Sequence, residues 1–180
     1  MADAKPVKES GTSDRGLFLR KESPLLFHAY SDSDWAGDPD DRSYTAAYVV
    51  FHCCNPVSWS SMKQRIVARS STEAEYRAIA STTTELCWVR NILNELAVTP
   101  AKIPIIYYDN LGATYVCSNP VFHSRMKHIE LDYHFIRKLV QQGILRVSHV
   151  SSKDQLADML TKPLPSGSFD LLRSNIDISG

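Results

Sequence analysis

Apolar and polar positions along the chain predict several strands first and a long helix after them. Three apolar segments bounded by turn residues predict strands over residues 25–32, 44–51 and 57–61. Turns between these segments favour an antiparallel meander. Apolar residues at helical spacing then predict a helix over residues 72–96, which ends before Pro100.

The second half of the chain alternates strand and helix. Residues 103–110 and 144–150 are apolar enough for two more strands, and two helical segments lie between them. A last helix is predicted to begin near Ser151, with Asp154 and Asp158 one turn apart along it. The alternation favours parallel strands added to the sheet, and therefore an α/β fold.

The patterned elements occupy the middle of the chain. We expect one domain over residues 16–165, because a chain of 180 residues is long enough for a substantial core. Residues 1–15 are polar and lack periodicity, which predicts a disordered or linker-like N-terminus. Residues 16–20 are interpreted as a short edge strand, and residues 166–180 as a weakly patterned C-terminal tail.

Composition excludes several classes of protein. The 20 basic and 20 acidic residues balance, so net charge does not indicate a nucleic-acid partner, although a local basic patch would suffice. The four cysteines lack metal-binding spacing, and we interpret them as reduced, mostly buried thiols of an intracellular protein without structural zinc. No apolar segment has membrane-spanning length and no signal-peptide core is found, so no membrane partner is expected.

The start of the long helix carries the first candidate for chemistry. Ser70 and Glu73 have the spacing of a capping box, and Glu73 is expected to face solvent there. Glu75 lies four residues before Ile79, and therefore on the apolar stripe of the helix. A carboxylate directed toward the sheet is expected to have a partner, usually a cationic side chain or a metal ion.

Three more carboxylates lie at the ends of predicted strands or on the last helix. Asp32 closes the first strand, Asp109 closes the fourth, and Asp158 lies on the helix. Sites in open α/β sheets collect at the carboxyl ends of strands. Acidic residues also mark strand ends without any function, and periodicity does not give the strand order. Convergence of the carboxylates is therefore left open by the pattern alone.

Nine short motifs follow one another along residues 16–165. They are YSDSDWAG at 30–37, SWSS at 58–61, SSTEAEY at 70–76, DN at 109–110, NPVFH at 119–123, KHI at 127–129, HFIR at 134–137, QLAD at 155–158 and TKPL at 161–164. In this order they resemble the ribonuclease H domain of copia-type LTR retrotransposon polyproteins, in particular those of plant elements. Each motif is weak alone, whereas the ordered set is specific. In this family the domain follows the reverse transcriptase, so the resemblance implies that domain of the same polyprotein as a partner.

The resemblance implies a ribonuclease H-like fold, with a five-stranded mixed sheet in the order 3-2-1-4-5 and helices on both faces. It implies an endonuclease that cleaves the RNA strand of RNA–DNA hybrids during reverse transcription and leaves 3′-hydroxyl and 5′-phosphate ends. Two Mg²⁺ ions, for which Mn²⁺ can substitute, would promote in-line phosphodiester hydrolysis. The implied location is intracellular: in cytoplasmic virus-like particles, in the nucleus, or in both.

The resemblance also assigns a role to each of the four carboxylates. Asp32 would bridge both metal ions, Asp158 would hold the ion on the nucleophile side, and Glu75 and Asp109 would hold the other ion. Asp34 shares a strand face with Asp32 by alternation, so both are candidates for the first position, with Asp32 preferred.

His149 is a further candidate for catalysis. It lies near the position where many family members carry a histidine that assists proton transfer or product release. A single histidine at a strand end is also compatible with a purely structural role, and the sequence does not choose between the two.

Contacts with the hybrid are expected from Gln64, Arg69, Asn110 and a local basic cluster, through 2′-hydroxyl and phosphate groups. The cluster consists of His123, Arg125, Lys127 and His128. A solvated loop or a surface for the adjoining polymerase would explain this cluster equally well.

Departures from the family pattern affect this surface and leave the carboxylates intact. Ala46 and Ala47 stand where Ser and Gly are usual, and Met62 replaces a usual Lys, which removes one candidate phosphate contact. We expect weaker contacts between the second strand and the hybrid.

Two other functions compete with an active nuclease. One is a catalytically inactive ribonuclease H-like tether or interaction module of a decayed or domesticated element. Loss of an acidic residue would indicate such a module, and all four are present. The other is a resolvase or transposase of the same superfold, which the KHI and QLAD motifs disfavour.

Overall fold

The fold is described by a computed structural model that covers residues 16–17, 19–21, 26–35, 43–98, 100–110, 130–176 and 178–179. Its strands are β1 (Gly16–Leu17), β2 (Phe27–Asp34), β3 (Thr45–His52), β4 (Asn55–Lys63), β5 (Ile105–Tyr108), β6 (Arg146–His149) and β7 (Ile178–Ser179). Its helices are α1 (Ser71–Glu95), α2 (Glu130–Gln141), α3 (Asp158–Thr161) and α4 (Ser166–Ser174), with a 3₁₀ helix at Ser152–Asp154. The first of the two predicted helical segments, which follows residue 110, lies outside these described residues.

Strands β2 to β6 form one mixed sheet in the order β4-β3-β2-β5-β6. β2, β3 and β4 are antiparallel, β5 is parallel to β2, and β6 is parallel to β5. Numbered within this sheet, the order is 3-2-1-4-5, which confirms the predicted fold class and the meander. Because β2 and β5 are neighbours and parallel, their carboxyl ends meet at the same edge of the sheet.

Alternate residues of β2 face two different helical layers. Phe27 and Ala29 belong to a core that includes Ile79 of α1 and apolar side chains of α2. Tyr30 points to the opposite face, where it packs on a second apolar cluster that includes Leu172 of α4. Helices therefore cover both faces of the sheet, as predicted.

The first and last described strands form a separate small sheet. β1 pairs antiparallel with β7, so the predicted strand at residues 16–20 is shorter than expected and is not an edge of the main sheet. The interpretation of residues 166–180 as a tail missed α4, in which Leu172 is buried; Ile176, four positions later and just after the helix, is buried as well. The limits of the predicted domain stay a prediction.

The prediction of one last helix that begins near Ser151 and carries both Asp154 and Asp158 is wrong, because the structure has two short helices there. The 3₁₀ helix ends at Asp154, and Gln155 is extended, with φ −78° and ψ 96°. The fully buried Gln155 amide donates to the Ser31 carbonyl at 3.0 Å and accepts from the Ala157 N–H at 3.3 Å. These bonds hold the chain extended, so Asp158 is the first residue of the one-turn helix α3.

The structure describes three of the four cysteines. Cys53, Cys54 and Cys87 are free and only partly buried, so the expectation of mostly buried thiols is wrong for these three. The expected absence of structural zinc stays a prediction. Among the helices that the structure describes, none combines the length and the apolar character needed to cross a lipid bilayer.

Candidate active site

The N-terminus of α1 carries two glutamates with different partners. The Ser70 hydroxyl accepts from the Glu73 N–H at 3.1 Å, which confirms the helix cap predicted from the spacing. The Glu73 carboxylate accepts from the Arg69 N–H at 2.9 Å and from Arg77 Nε at 3.2 Å. Glu73 is only 1% exposed, so the expectation that it faces solvent is wrong. Both oxygens of the Glu73 carboxylate therefore accept hydrogen bonds from residues at the start of α1.

Glu75, two residues later, points into the fold as predicted and is 4% exposed. The Ser33 N–H donates to its Oε1 at 3.3 Å, whereas Oε2 is buried and has no hydrogen-bond partner among the described residues. Burial raises the pKa of Glu75 to about 9, and repulsion from Asp32 and Asp109 contributes to the shift. An oxygen in this position is ready to accept a bond from a cation.

Three carboxylates meet at the edge where β2 and β5 end. One oxygen from each of Asp32, Glu75 and Asp109 lies within 4.8 Å of the other two. Asp32 is buried and Asp109 partly buried. Burial raises the pKa of Asp32 as well, because a charged carboxylate is poorly solvated there. Without a cation, these side chains cannot all be ionised at neutral pH at low cost.

Helix α3 brings a fourth carboxylate beside this group of three. Asp158 is 5% exposed, and its pKa is raised to about 6, chiefly by burial and further by Asp32 and Asp109. It lies outside the group whose oxygens are within 4.8 Å. Lys162 Nζ lies 2.9 Å from Asp158 Oδ1 and lowers that pKa in part.

Two hydroxyl groups fix members of the group of three. The Thr161 hydroxyl donates to Asp32 Oδ2, and the Ser152 hydroxyl donates to Asp109 Oδ2 at 2.7 Å. Thr161, Lys162 and Ser152 were not predicted as site residues. Asp158, Thr161 and Lys162 are spaced at i, i+3 and i+4, which places them on one side of a helical turn. This spacing is the sequence feature from which Thr161 and Lys162 could have been predicted as site residues.

His149 lies beside the group of three carboxylates but does not belong to it. Its Nε2 is 3.1 Å from the main-chain carbonyl oxygen of Asp109, which accepts a hydrogen bond from the tautomer protonated at Nε2. The imidazole is exposed. This placement is compatible with both roles that the sequence left open.

Asp34, the alternative to Asp32, is partly buried at the end of β2. It is not part of the group of three whose oxygens converge. The geometry supports Asp32 for the first position, and the choice stays a prediction.

The predicted substrate contacts are only partly described. Arg69 is exposed, Asn110 is partly buried next to Asp109, and the Gln64 amide donates to the Met62 carbonyl at 3.3 Å. Ala47 is buried directly across from Asp32 in the β2–β3 pairing. Arg125, Lys127 and His128, with His123, lie outside the described residues.

Solved structures of ribonucleases H share this fold. The chain superposes on LC11-RNase H1 with a TM-score of 0.58 at 15% identity, over 81% of this chain and 96% of that one. The same enzyme in complex with an RNA/DNA hybrid gives 0.57 at 15% identity, over 75% and 93%. The N-terminal ribonuclease H domain of a Mycobacterium tuberculosis protein gives 0.56 at 13% identity, over 83% and 97%. These likenesses establish the fold.

The sequence relatives include polyproteins of plant transposons, and no family model matches the chain. The chain is 57% identical over 169 residues to the retrovirus-related Pol polyprotein from transposon RE2 of Arabidopsis thaliana. It is 36% identical over 163 residues to the corresponding polyprotein from transposon TNT 1-94 of Nicotiana tabacum. The chain is a ribonuclease H-fold segment homologous to plant transposon Pol polyproteins.

The alignments cover 94% and 91% of the ribonuclease H-fold segment but only 12% of each polyprotein. The predicted resemblance to a plant retrotransposon polyprotein is confirmed. The copia type and the position after the reverse transcriptase stay predictions.

Proposed function

We propose that the segment is a metal-dependent endonuclease that cleaves the RNA strand of RNA–DNA hybrids during reverse transcription of a retrotransposon. One observation carries the proposal: Asp32, Glu75 and Asp109 each place an oxygen within 4.8 Å of the other two, and Oε2 of Glu75 is buried with no hydrogen-bond partner among the described residues. A structural ion pair would have placed a cationic side chain against that oxygen.

The donor set fits hard divalent cations. All the candidate ligand atoms are carboxylate oxygens, which Mg²⁺ and Mn²⁺ prefer. Asp32, Glu75 and Asp109 would hold one or both ions, and Asp158 would complete the site from α3. When bound, a pair of Mg²⁺ ions supplies an activated water and stabilises the leaving oxygen of the phosphodiester.

Groups of the chain itself hold each carboxylate in position. The Thr161 hydroxyl donates to one oxygen of Asp32, and the Ser152 hydroxyl donates to one oxygen of Asp109. The Ser33 N–H donates to one oxygen of Glu75. One oxygen of each ligand is thereby fixed by a donor. Such fixed ligands need little rearrangement before they coordinate an ion, which favours both affinity and a defined geometry.

His149 would act on protons at the solvent side of the site. Its exposed imidazole lies 3.1 Å from the Asp109 carbonyl oxygen, beside the carboxylates. We propose that it assists proton transfer or product release.

The substrate and the partners follow from the relatives and the fold. One fold neighbour is described as bound to an RNA/DNA hybrid, and the sequence relatives are retrovirus-related Pol polyproteins. We propose a hybrid substrate contacted by Arg69, Gln64 and Asn110, and the reverse transcriptase domain of the same polyprotein as partner. The activity would then be intracellular, in virus-like particles or in the nucleus.

Cleavage of an end-labelled RNA–DNA hybrid by the full chain tests the proposal. We expect cleavage of the RNA strand with Mg²⁺ or Mn²⁺, no cleavage with EDTA, and products ending in 3′-hydroxyl and 5′-phosphate. RNA duplex and DNA duplex of the same sequence serve as substrate controls. Equal cleavage of either duplex would contradict hybrid specificity, and no cleavage by a folded protein that binds the hybrid would indicate the inactive module.

A further inference from the structure

Lys162 is a cation built into the carboxylate site. It follows α3 directly, and its Nζ lies 2.9 Å from Oδ1 of Asp158, four residues earlier. The Asp158 side chain is 7% exposed and the Lys162 side chain is 36% exposed. The ammonium therefore reaches a nearly buried carboxylate, while the lysine side chain as a whole stays partly exposed.

Lys162 lies close enough to several acidic residues to interact with them electrostatically. Asp32 and Asp109 also act electrostatically on its ammonium. The preceding residue, Thr161, donates to Asp32, so the same turn of chain contacts Asp32 through Thr161 and Asp158 through Lys162. An ordinary surface pair between residues four apart on a helix faces water on all sides and contributes little. Here the positive charge contacts Asp158, whose neighbours Asp32 and Asp109 would otherwise repel it.

We propose that the Lys162 ammonium is a resident counter-cation, which occupies Asp158 while no metal is bound and is displaced from it by a divalent ion. This inference rests on the metal centre of the proposed function. A flexible, partly exposed lysine side chain can leave Asp158 without any change in the backbone. Lys162 would thus stabilise the metal-free protein and compete with the metal for Asp158.

Metal binding by the full chain in the absence of nucleic acid tests the inference. Mg²⁺ affinity is measured by titration calorimetry for wild type, for Lys162→Met, which keeps most of the stem, and for Lys162→Arg, which keeps the charge. Lys153→Met, at an exposed lysine of the adjacent 3₁₀ helix, is the matched control. We expect Lys162→Met to bind Mg²⁺ roughly two- to tenfold more tightly than wild type. The other two variants should match wild type.

Thermal unfolding gives a second readout. Lys162→Met should melt at a lower temperature than wild type in EDTA, and this difference should shrink in saturating Mg²⁺. Unchanged or weaker Mg²⁺ affinity in Lys162→Met would overturn the inference and leave the proposed nuclease intact. A wild-type protein that binds neither Mg²⁺ nor Mn²⁺ would overturn the inference together with the metal centre.

A measurement on the wild type keeps the inference testable if Lys162→Met does not fold. The NMR signals of the Lys162 side chain, assigned by comparison with Lys162→Arg, should shift when Mg²⁺ binds, because the ammonium leaves Asp158. The Lys153 signals should not shift. Lys162 signals that stay unchanged while Mg²⁺ binds would contradict displacement.

Discussion

The hydroxyl of Thr161 donates to Oδ2 of Asp32, which joins residues 129 positions apart in the sequence. This bond ties α3 to the end of β2, where the carboxylates meet. It also compensates in part for the burial of Asp32, whose pKa is raised. Helix α3 therefore has two roles in the site: it contributes the Asp158 carboxylate, and through Thr161 it holds Asp32 in position.

Thr161→Val removes this bond and keeps the shape of the side chain. We predict a loss of about 1–3 kcal/mol in the free energy of unfolding, because a buried carboxylate loses its donor. Hybrid cleavage should fall by about tenfold or more as Asp32 loses its fixed position. Urea unfolding and single-turnover cleavage measure the two effects.

Thr84→Val is the matched control, because the exposed Thr84 hydroxyl donates to the Ala80 carbonyl in the preceding turn of α1, away from the carboxylates. This variant should cleave like wild type. If Thr161→Val retains both stability and cleavage, the Asp32 carboxylate does not depend on Thr161.

Glu73 and Glu75 form a natural pair for separating stability from activity. We predict that Glu73→Gln lowers the free energy of unfolding by about 1–2 kcal/mol, because the charged partner of Arg77 and the helix start is lost. Glu75→Gln should abolish cleavage and leave the fold at least as stable as wild type in EDTA. If Glu73 proved essential for cleavage and Glu75 for stability, the assignment of Glu75 to the active site would be wrong.

Stability without metal should fall as pH rises. In the folded protein the pKa of Glu75 is raised from 4.5 to about 9 and that of Asp158 from 3.8 to about 6. Between the ordinary pKa of each group and its raised value, the folded state binds more protons than the unfolded state. The free energy of unfolding therefore decreases with increasing pH. We predict a decrease of several kcal/mol from pH 5 to pH 8 in EDTA, most of it from Glu75, measured by urea unfolding.

Two comparisons check the origin of this slope. Glu75→Gln should flatten it, because the amide has no proton to lose. Saturating Mg²⁺ should flatten it as well, because a bound cation stabilises the ionised carboxylates. A slope that Glu75→Gln leaves unchanged would have to arise from other groups.

His149 has two open roles that substitution can distinguish. His149→Ala should slow cleavage by roughly 100-fold if the imidazole transfers protons. His149→Gln can still donate to the Asp109 carbonyl, so it should restore cleavage only if the role is structural. Mg²⁺ affinity, measured in parallel, should stay unchanged in both variants if the proton-transfer role is correct.

The antiparallel meander and the inward direction of Glu75 were predictable because local patterns carry them, whereas the order of the five strands came only from the family resemblance. The meander follows from apolar segments and turns, and Glu75 follows from its spacing to Ile79. The break at Gln155 was not predictable, because its amide bonds Ser31, 124 positions away. The roles of Thr161 and Lys162 depend on that break, since it decides where α3 begins and which way the helix faces.

Single-turnover cleavage of an RNA–DNA hybrid by wild type, Asp109→Asn and Asp34→Asn tests the central claim most directly. Asp109 belongs to the group of three converging carboxylates, whereas Asp34 is a strand-end aspartate outside it. We predict that wild type and Asp34→Asn cleave the RNA strand in Mg²⁺ at similar rates and that Asp109→Asn does not. Cleavage by Asp109→Asn at the wild-type rate would contradict the proposed site, and a folded wild type that binds the hybrid without cutting it would contradict the nuclease itself.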